Sequence, residues 1–223
     1  MRRYSVWMPN SQRRTLRTRI IIATLFLLIV AAVACSGEGE TELAAATVPP
    51  TIIVGNYESC RGFLDAQSIE DLTGETGLFD RERVIVIAGI PGLAESGAVN
   101  NCLIEVFRSL ATNDVLIPGE SMTLSIVKFQ TNDSAVTLFE STLASVILSA
   151  GQIGDLAEVQ QGVIGANSYL MDIKVGGIGA IVVYVSDTVF ISMSSTSDSE
   201  GTALLNGEQL VIAAQGVQSR LPR

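Results

Sequence analysis

Hydrophobic and polar positions divide the chain into three zones. Residues 20–34 (IIIATLFLLIVAAVA) form an apolar run of 15 residues without a charge. Residues 36–56 are small, acidic and proline-bearing, with little to bury. From residue 57 onward, short apolar stretches alternate with turn residues, and their periods predict distinct elements.

Asp65 is placed to cap a short helix that stops at Gly74, with Phe63 or Leu64 stapled onto Ile69. Residues 84–88 (VIVIA) are β-branched and read as a strand. A glycine-bearing loop over 89–101 leads to strands at Cys102–Leu110 and Met122–Gln130. In the second of these, Met122, Leu124, Ile126 and Lys128 share one face. Asn132-Asp133-Ser134 opens a helix whose stripe is Val136, Phe139, Leu143, Val146, Ile147 and Ala150, ending at Gly151. A turn at Gly162–Gly165 runs into a strand that ends at Val175. Gly176-Gly177 makes a hairpin turn, followed by strands at Ile178–Ser186 and Val189–Ser194. Thr196-Ser197-Asp198-Ser199-Glu200 caps a last helix with the stripe Leu210, Ala214, Val217 and Leu221. The expected fold is α+β: one antiparallel sheet with two to three helices packed on one face. Strand–TNDS–helix recurs as strand–STSDS–helix, so a duplication is a second expectation, although helix capping alone could produce it.

Charge separates the same zones. Residues 1–34 carry six arginines and no acid. Residues 35–223 carry eight cations against 23 acids, a net of −15. A basic head before an apolar run is an export address. As a helix, the run would reach roughly 22 Å, short of the ~30 Å hydrocarbon core, so it fits a signal peptide better than a permanent span. Ala32-Val33-Ala34-Cys35 then resembles the lipobox at which bacterial envelope lipoproteins are acylated on cysteine and cleaved. An uncleaved signal anchor and ordinary cleavage after a small residue remain as alternatives. Gln12-Arg13-Arg14-Thr15-Leu16-Arg17 also hints at a twin-arginine signal. The expected organisation is a signal peptide over 1–34, a tether over 35–56 and one extracytoplasmic domain over 57–223. The bilayer becomes a partner through acylated Cys35, because an acidic body repels anionic headgroups and nucleic acid alike. More than one acyl chain is needed for stable anchoring.

Cys60 and Cys102 are the other two cysteines. In an oxidising compartment such an even pair points to a disulfide, with two free buried thiols as the alternative. The order of motifs from Cys60 onward resembles a family of uncharacterised actinobacterial-type envelope lipoproteins, akin to the extracellular sensor domains of some receptor kinases. The matching features are the helix Leu64–Gly74, Cys102 in a strand, the turn Gly162 to Tyr169, and the hairpin Val182 to Met193 before a terminal helix. No proline precedes Cys60 and no aromatic follows Cys102 directly, which departs from the family pattern. The resemblance implies an anchored extracytoplasmic domain, a disulfide and a binding role, with an unknown small ligand or envelope protein as partner. It implies no catalytic residues.

Histidine is absent, which removes imidazole catalysis and imidazole metal ligation. Two thiols without CxxC spacing do not suggest a metal site, and no cofactor is implied. Gly176-Gly177-Ile178-Gly179 lacks a P-loop lysine and reads as a turn. Asp187, Asp198 and Glu200 match no calcium-loop spacing. Lys128 and Lys174 lie in no serine–lysine hydrolase motif. Trp7 precedes the export segment, so the body lacks tryptophan platforms for sugars or single strands. What remains is carboxylate chemistry, with Glu70, Asp71, Glu75, Asp80 and Glu82 close in sequence. The expected function is therefore a non-catalytic, membrane-anchored binding domain. The alternative is a carboxylate-based hydrolase of envelope glycans.

Overall fold

Asp65 accepts the N–H of Ser68 at 2.8 Å and opens helix α1 (Ala66–Thr73), which Gly74 closes at φ 74°. In the computed structural model the described residues are 57–83, 86, 87, 90, 92–112, 115–174, 178–197 and 203–222. The expected signal peptide, Cys35, the tether and the Gly176-Gly177 turn lie outside them.

Strand β1 is Leu78–Arg83. This corrects the expectation of a strand over 84–88: Val86 and Ile87 belong to no strand, and the rest of that stretch lies outside the described residues. Local β-propensity favours VIVIA, but the partners select LFDRER. Leu78 enters the core, while Asp80 and Glu82 on the same face accept the main-chain N–H groups of Ala66 and Cys60.

β2 (Ala98–Thr112) and β3 (Val115–Phe129) form a long antiparallel hairpin with Cys102 opposite Ile126. Both expected strands fall largely within it. Helix α2 (Asn132–Ile153) is capped by Thr131, whose Oγ1 accepts the Ser134 N–H. It runs past Gly151 and ends at Gly154, φ 61°. A 3-10 turn at Gly154–Leu156 leads into β4 (Ala157–Gln161), a polar strand that its composition did not predict. β5 (Ser168–Ile173), β6 (Ile178–Ser186) and β7 (Val189–Thr196) follow where expected. Helix α3 (Gly207–Ser219) is capped not by the serine-rich stretch 196–200 but by Asn206, in a reciprocal pair with Gln209.

All seven strands make one antiparallel sheet in the order β1-β2-β3-β7-β6-β5-β4. The fold class is α+β, as expected, with three helices among the described residues. The helices, however, are divided between the faces. Ile126, Ile191 and Tyr184 lie side by side across β3, β7 and β6, and pack with Cys102, Ile69, Leu210 and Val217 in one core. That face carries α1 and α3. Pleating turns the neighbouring positions to the other face. There Tyr169 pairs with Val183, and Phe139 of α2 packs against Tyr169 with tilted rings, centroids 5.8 Å apart. With α2 and α3 on opposite faces and capped differently, the β3–α2 and β7–α3 units do not repeat one arrangement.

Of the expected α2 stripe, Phe139 and Val146 are buried, but Ile147 is exposed. By length and composition alone, Asn132–Leu156 would suffice to cross a membrane, and its most apolar 18-residue stretch is only 17% buried in the domain. Lys128 stays on the face of Met122, Leu124 and Ile126, with its ammonium 5.4 Å from the Tyr57 ring centre. That placement lets the alkyl stem cover the core edge while the charge stays wet.

Candidate binding groove

The two cysteines expected to pair do so: Cys60 and Cys102 form a disulfide, with Cα atoms 5.3 Å apart and the residues 42 positions apart in sequence. Cys60 precedes α1 and Cys102 lies in β2, so the bond ties the α1 segment to the sheet. Cys35 lies outside the described residues.

The five acids close in sequence are each engaged in a structural bond, most of them on the same task. Glu70 accepts the Leu78 N–H at 2.8 Å. Asp71 accepts from Gln67 at 2.8 Å. Glu75 pairs with Arg108 at 2.8 Å, and this bond is the main reason that guanidinium holds its proton above the ordinary range. Asp80 binds Arg61 at 2.8 Å and accepts the Ala66 N–H at 3.2 Å. Glu82 accepts both the Cys60 N–H and the Ser59 hydroxyl. Glu70, Asp80 and Glu82 fasten α1 and the Cys60 loop to β1, Glu75 ties the end of α1 to β2, and Asp71 bonds within α1. None of the five lines either of the two grooves described below.

The turn motifs also resolve into structure. Gly162 and Gly165 have φ 78° and 155°, and the turn they make is locked by Ser168. Its Oγ donates to the Gly165 carbonyl at 2.7 Å and accepts the Ile164 N–H at 2.9 Å. Asp187 sits in the β6–β7 turn at φ 53°. Asp198 and Glu200 lie outside the described residues.

An open groove of about 410 Å³ runs between β4–β5 and α3. Val163, Leu170, Val211 and Ile212 supply apolar wall, and Asp172 and Glu208 bring two carboxylates to the same groove. Gly207 keeps the α3 N-terminus close to β5: a Cβ there would lie 3.3 Å from Leu170 Cδ2. A second groove, about 400 Å³, lies between the Asp187 turn and the end of α3 at Gln218–Pro222. Motif reading missed the first groove. Its acids stand 36 positions apart in sequence on a strand and a helix, and their approach depends on α3 crossing β5. A weak signal was present: an apolar residue at Ile212 breaks the polar side of the α3 stripe and is exposed.

No protein-family model matches the chain, and no curated protein matches it. Among solved structures, the extracellular domain of PknH from Mycobacterium tuberculosis is similar at a TM-score of 0.38 and 13% identity, over 70% of this chain and 91% of that one. A likeness of that degree carries no argument about activity or residue roles.

Proposed function

We propose that this chain is a membrane-anchored extracytoplasmic domain whose work is binding rather than catalysis. The observation that carries the reading is where the acids go. The carboxylates clustered in sequence are used as acceptors for main-chain N–H groups and as ion-pair partners, around a disulfide that belongs to an oxidising compartment. The basic head, apolar run and Ala32-Val33-Ala34-Cys35 stretch support anchoring through acylated Cys35. A small ligand would take the β5–α3 groove, where an apolar wall and the Asp172 and Glu208 carboxylates suit a molecule with one cationic and one apolar end.

Anchoring is tested by labelling with a fatty-acid probe in a bacterial host. The full chain takes up label and is cleaved before Cys35, whereas Cys35→Ala does neither. Equal labelling of both would overturn it.

One observation favours a second reading. Asp172 and Glu208 share a groove, which is what a carboxylate-based glycan hydrolase requires of its two acids. Turnover of envelope glycan by the purified chain, abolished in Asp172→Asn and in Glu208→Gln, would replace the binding reading with the hydrolytic one. Absence of turnover, with ligand bound in the groove, supports binding.

A further inference from the structure

The sheet ends at two edges, and the chain treats them differently. β1 carries four consecutive charges, Asp80 to Arg83, and the outward N–H of Leu78 is taken by Glu70. Charges of that kind keep a second strand from adding to an edge. β4 reads Ala157-Glu158-Val159-Gln160-Gln161, with one acid, no lysine and no proline, and its register with β5 runs without a bulge.

The outward groups of β4 can be assigned. Lys174 donates its N–H to the Leu156 carbonyl and Gly162 donates to the Ser168 carbonyl, both at 2.8 Å. Even-numbered positions of β4 therefore turn their main chain toward β5, and Val159 and Gln161 turn theirs out of the sheet. Among the described residues no main-chain or side-chain group takes up those N–H groups. On the Val159 side of the sheet, α2 carries no charge from Ser141 to Ile153. Ile147, Leu148 and Leu156 stand 48%, 67% and 46% exposed at the α2 end that leads into β4. Ser141, Ser145 and Ser149 donate their hydroxyl protons to carbonyls of their own helix, each at 2.9 Å, so this surface spends few donors on water.

We propose that two copies of this chain pair antiparallel through β4 about a two-fold axis at Val159, joining their two sheets into one. The residues of β4 suit a copy of themselves. Reflection about Val159 sets Glu158 opposite Gln160 of the second copy, and Ala157 opposite Gln161. Within one chain Gln160 Nε2 already donates to Glu158 Oε1 at 3.1 Å. Across the axis the same acid–amide match is offered again, so the strand's one acid meets an amide rather than another acid, as a self-complementary interface requires. Val159 exchanges N–H···O=C bonds with its own copy, and the charge-free ends of the two α2 helices lie on one side of the joint. In a body of net −15, β4 and this part of α2 bring one acid per copy to the joint, Glu158, which is already paired with Lys174 at 3.5 Å. The inference holds whether or not Cys35 is acylated.

The experiment uses the full chain, expressed in a bacterial envelope and solubilised in detergent. In an antiparallel hydrogen-bonded pair the Cα atoms stand about 5.5 Å apart, within disulfide reach. Val159→Cys is expected to give a covalent dimer on a non-reducing gel. Gln161→Cys, whose copy would lie roughly 13 Å away by strand rise, is expected to stay monomeric there. The unsubstituted chain, which keeps Cys35, sets the background. Val159→Pro removes only an outward N–H, so it should keep the circular dichroism of the parent and sediment at half its mass. A monomeric parent would overturn the proposal. So would equal cross-linking at 159 and 161, or a dimer in which Val159→Cys does not link. A Val159→Cys adduct to a different protein would also overturn it, giving the edge to an extended segment of another partner.

Discussion

Tyr184 of β6 donates its hydroxyl to the main-chain carbonyl of Ala214 on α3, 3.0 Å away inside the core. The carbonyl is already part of the α3 ladder, so the phenol adds a second bond that pins the helix to the middle of the sheet. Tyr184→Phe keeps the ring and deletes that bond. The expected cost is about 1 kcal/mol, the usual net worth of a buried hydrogen bond. Urea unfolding should show a lower midpoint with an unchanged slope.

Alkali should unfold the domain by a related route. Burial raises the pKa of Tyr184 and Tyr169 well above the ordinary 10.0. Burial, and then the Asp187 charge, also raises that of Tyr57. In the unfolded chain these phenols ionise near 10, while in the folded chain they stay protonated. The contribution is whole below pH 10 and falls as pH climbs through that value toward the folded pKa. Tyrosinate absorbance should therefore rise late and together with loss of circular dichroism. A smooth titration centred on 10 with the fold intact would contradict the buried placement.

The disulfide carries a larger share. Joining Cys60 to Cys102 closes a loop of 42 positions, and the chain-entropy model gives about 4 kcal/mol for that length. Cys60→Ser with Cys102→Ser should lower stability on that scale. The denatured state of the double variant should also be more expanded, which a larger urea slope would register.

Elements were legible in the residues where local rules and tertiary contacts agree. α1 has its cap, its staple and its glycine stop within twelve positions, and it forms as expected. The β5–β7 stretch alternates or runs apolar between clear turns, and it too forms as expected. Three failures share one cause. β1 is built from Asp80 and Glu82, which enter the sheet because Ala66 and Cys60 need acceptors there. β4 forms because β5 offers it a ladder, not because AEVQQ favours a strand. The groove acids Asp172 and Glu208 meet through the packing of α3, which no spacing in the chain encodes. The α2 stripe misled for a different reason: its period is helical, but its apolar positions spread around the helix beyond the side that meets the sheet, so Ile147 is left outside.

Gly179 tests the packing of the sheet against the segment before α3. An added Cβ would collide with Ala203 Cβ and come within 2.9 Å of the Ser195 carbonyl. Neither neighbour is the free end of a flexible chain. Ser195 is itself fixed, its Oγ accepting the Leu205 N–H at 2.7 Å in a buried position. Gly179→Ala should therefore cost about 1–3 kcal/mol by overpacking. The same change at Gly216, where a Cβ meets nothing within 4 Å in α3, should be neutral or stabilising by up to about 1 kcal/mol. Thermal melts of the two variants give the comparison directly, and equal shifts would refute the contact.

The last prediction concerns Glu82, which joins the edge strand to the disulfide. Its two oxygens accept the Cys60 N–H and the Ser59 hydroxyl. Removing the carboxylate in Glu82→Ala leaves both donors half-buried without an acceptor, at a cost of about 1–3 kcal/mol. Glu82→Gln keeps one oxygen for the Cys60 N–H and turns the other position into a donor, so it should cost less than half as much. The local consequence separates this from a general loss of stability. With Cys60 no longer held at its amide, the disulfide should be reduced faster by a small thiol in Glu82→Ala than in Glu82→Gln, at equal fractions folded. Equal reduction rates would mean that β1 holds Cys60 by packing alone, through Leu78 and Phe63 in the core beside it.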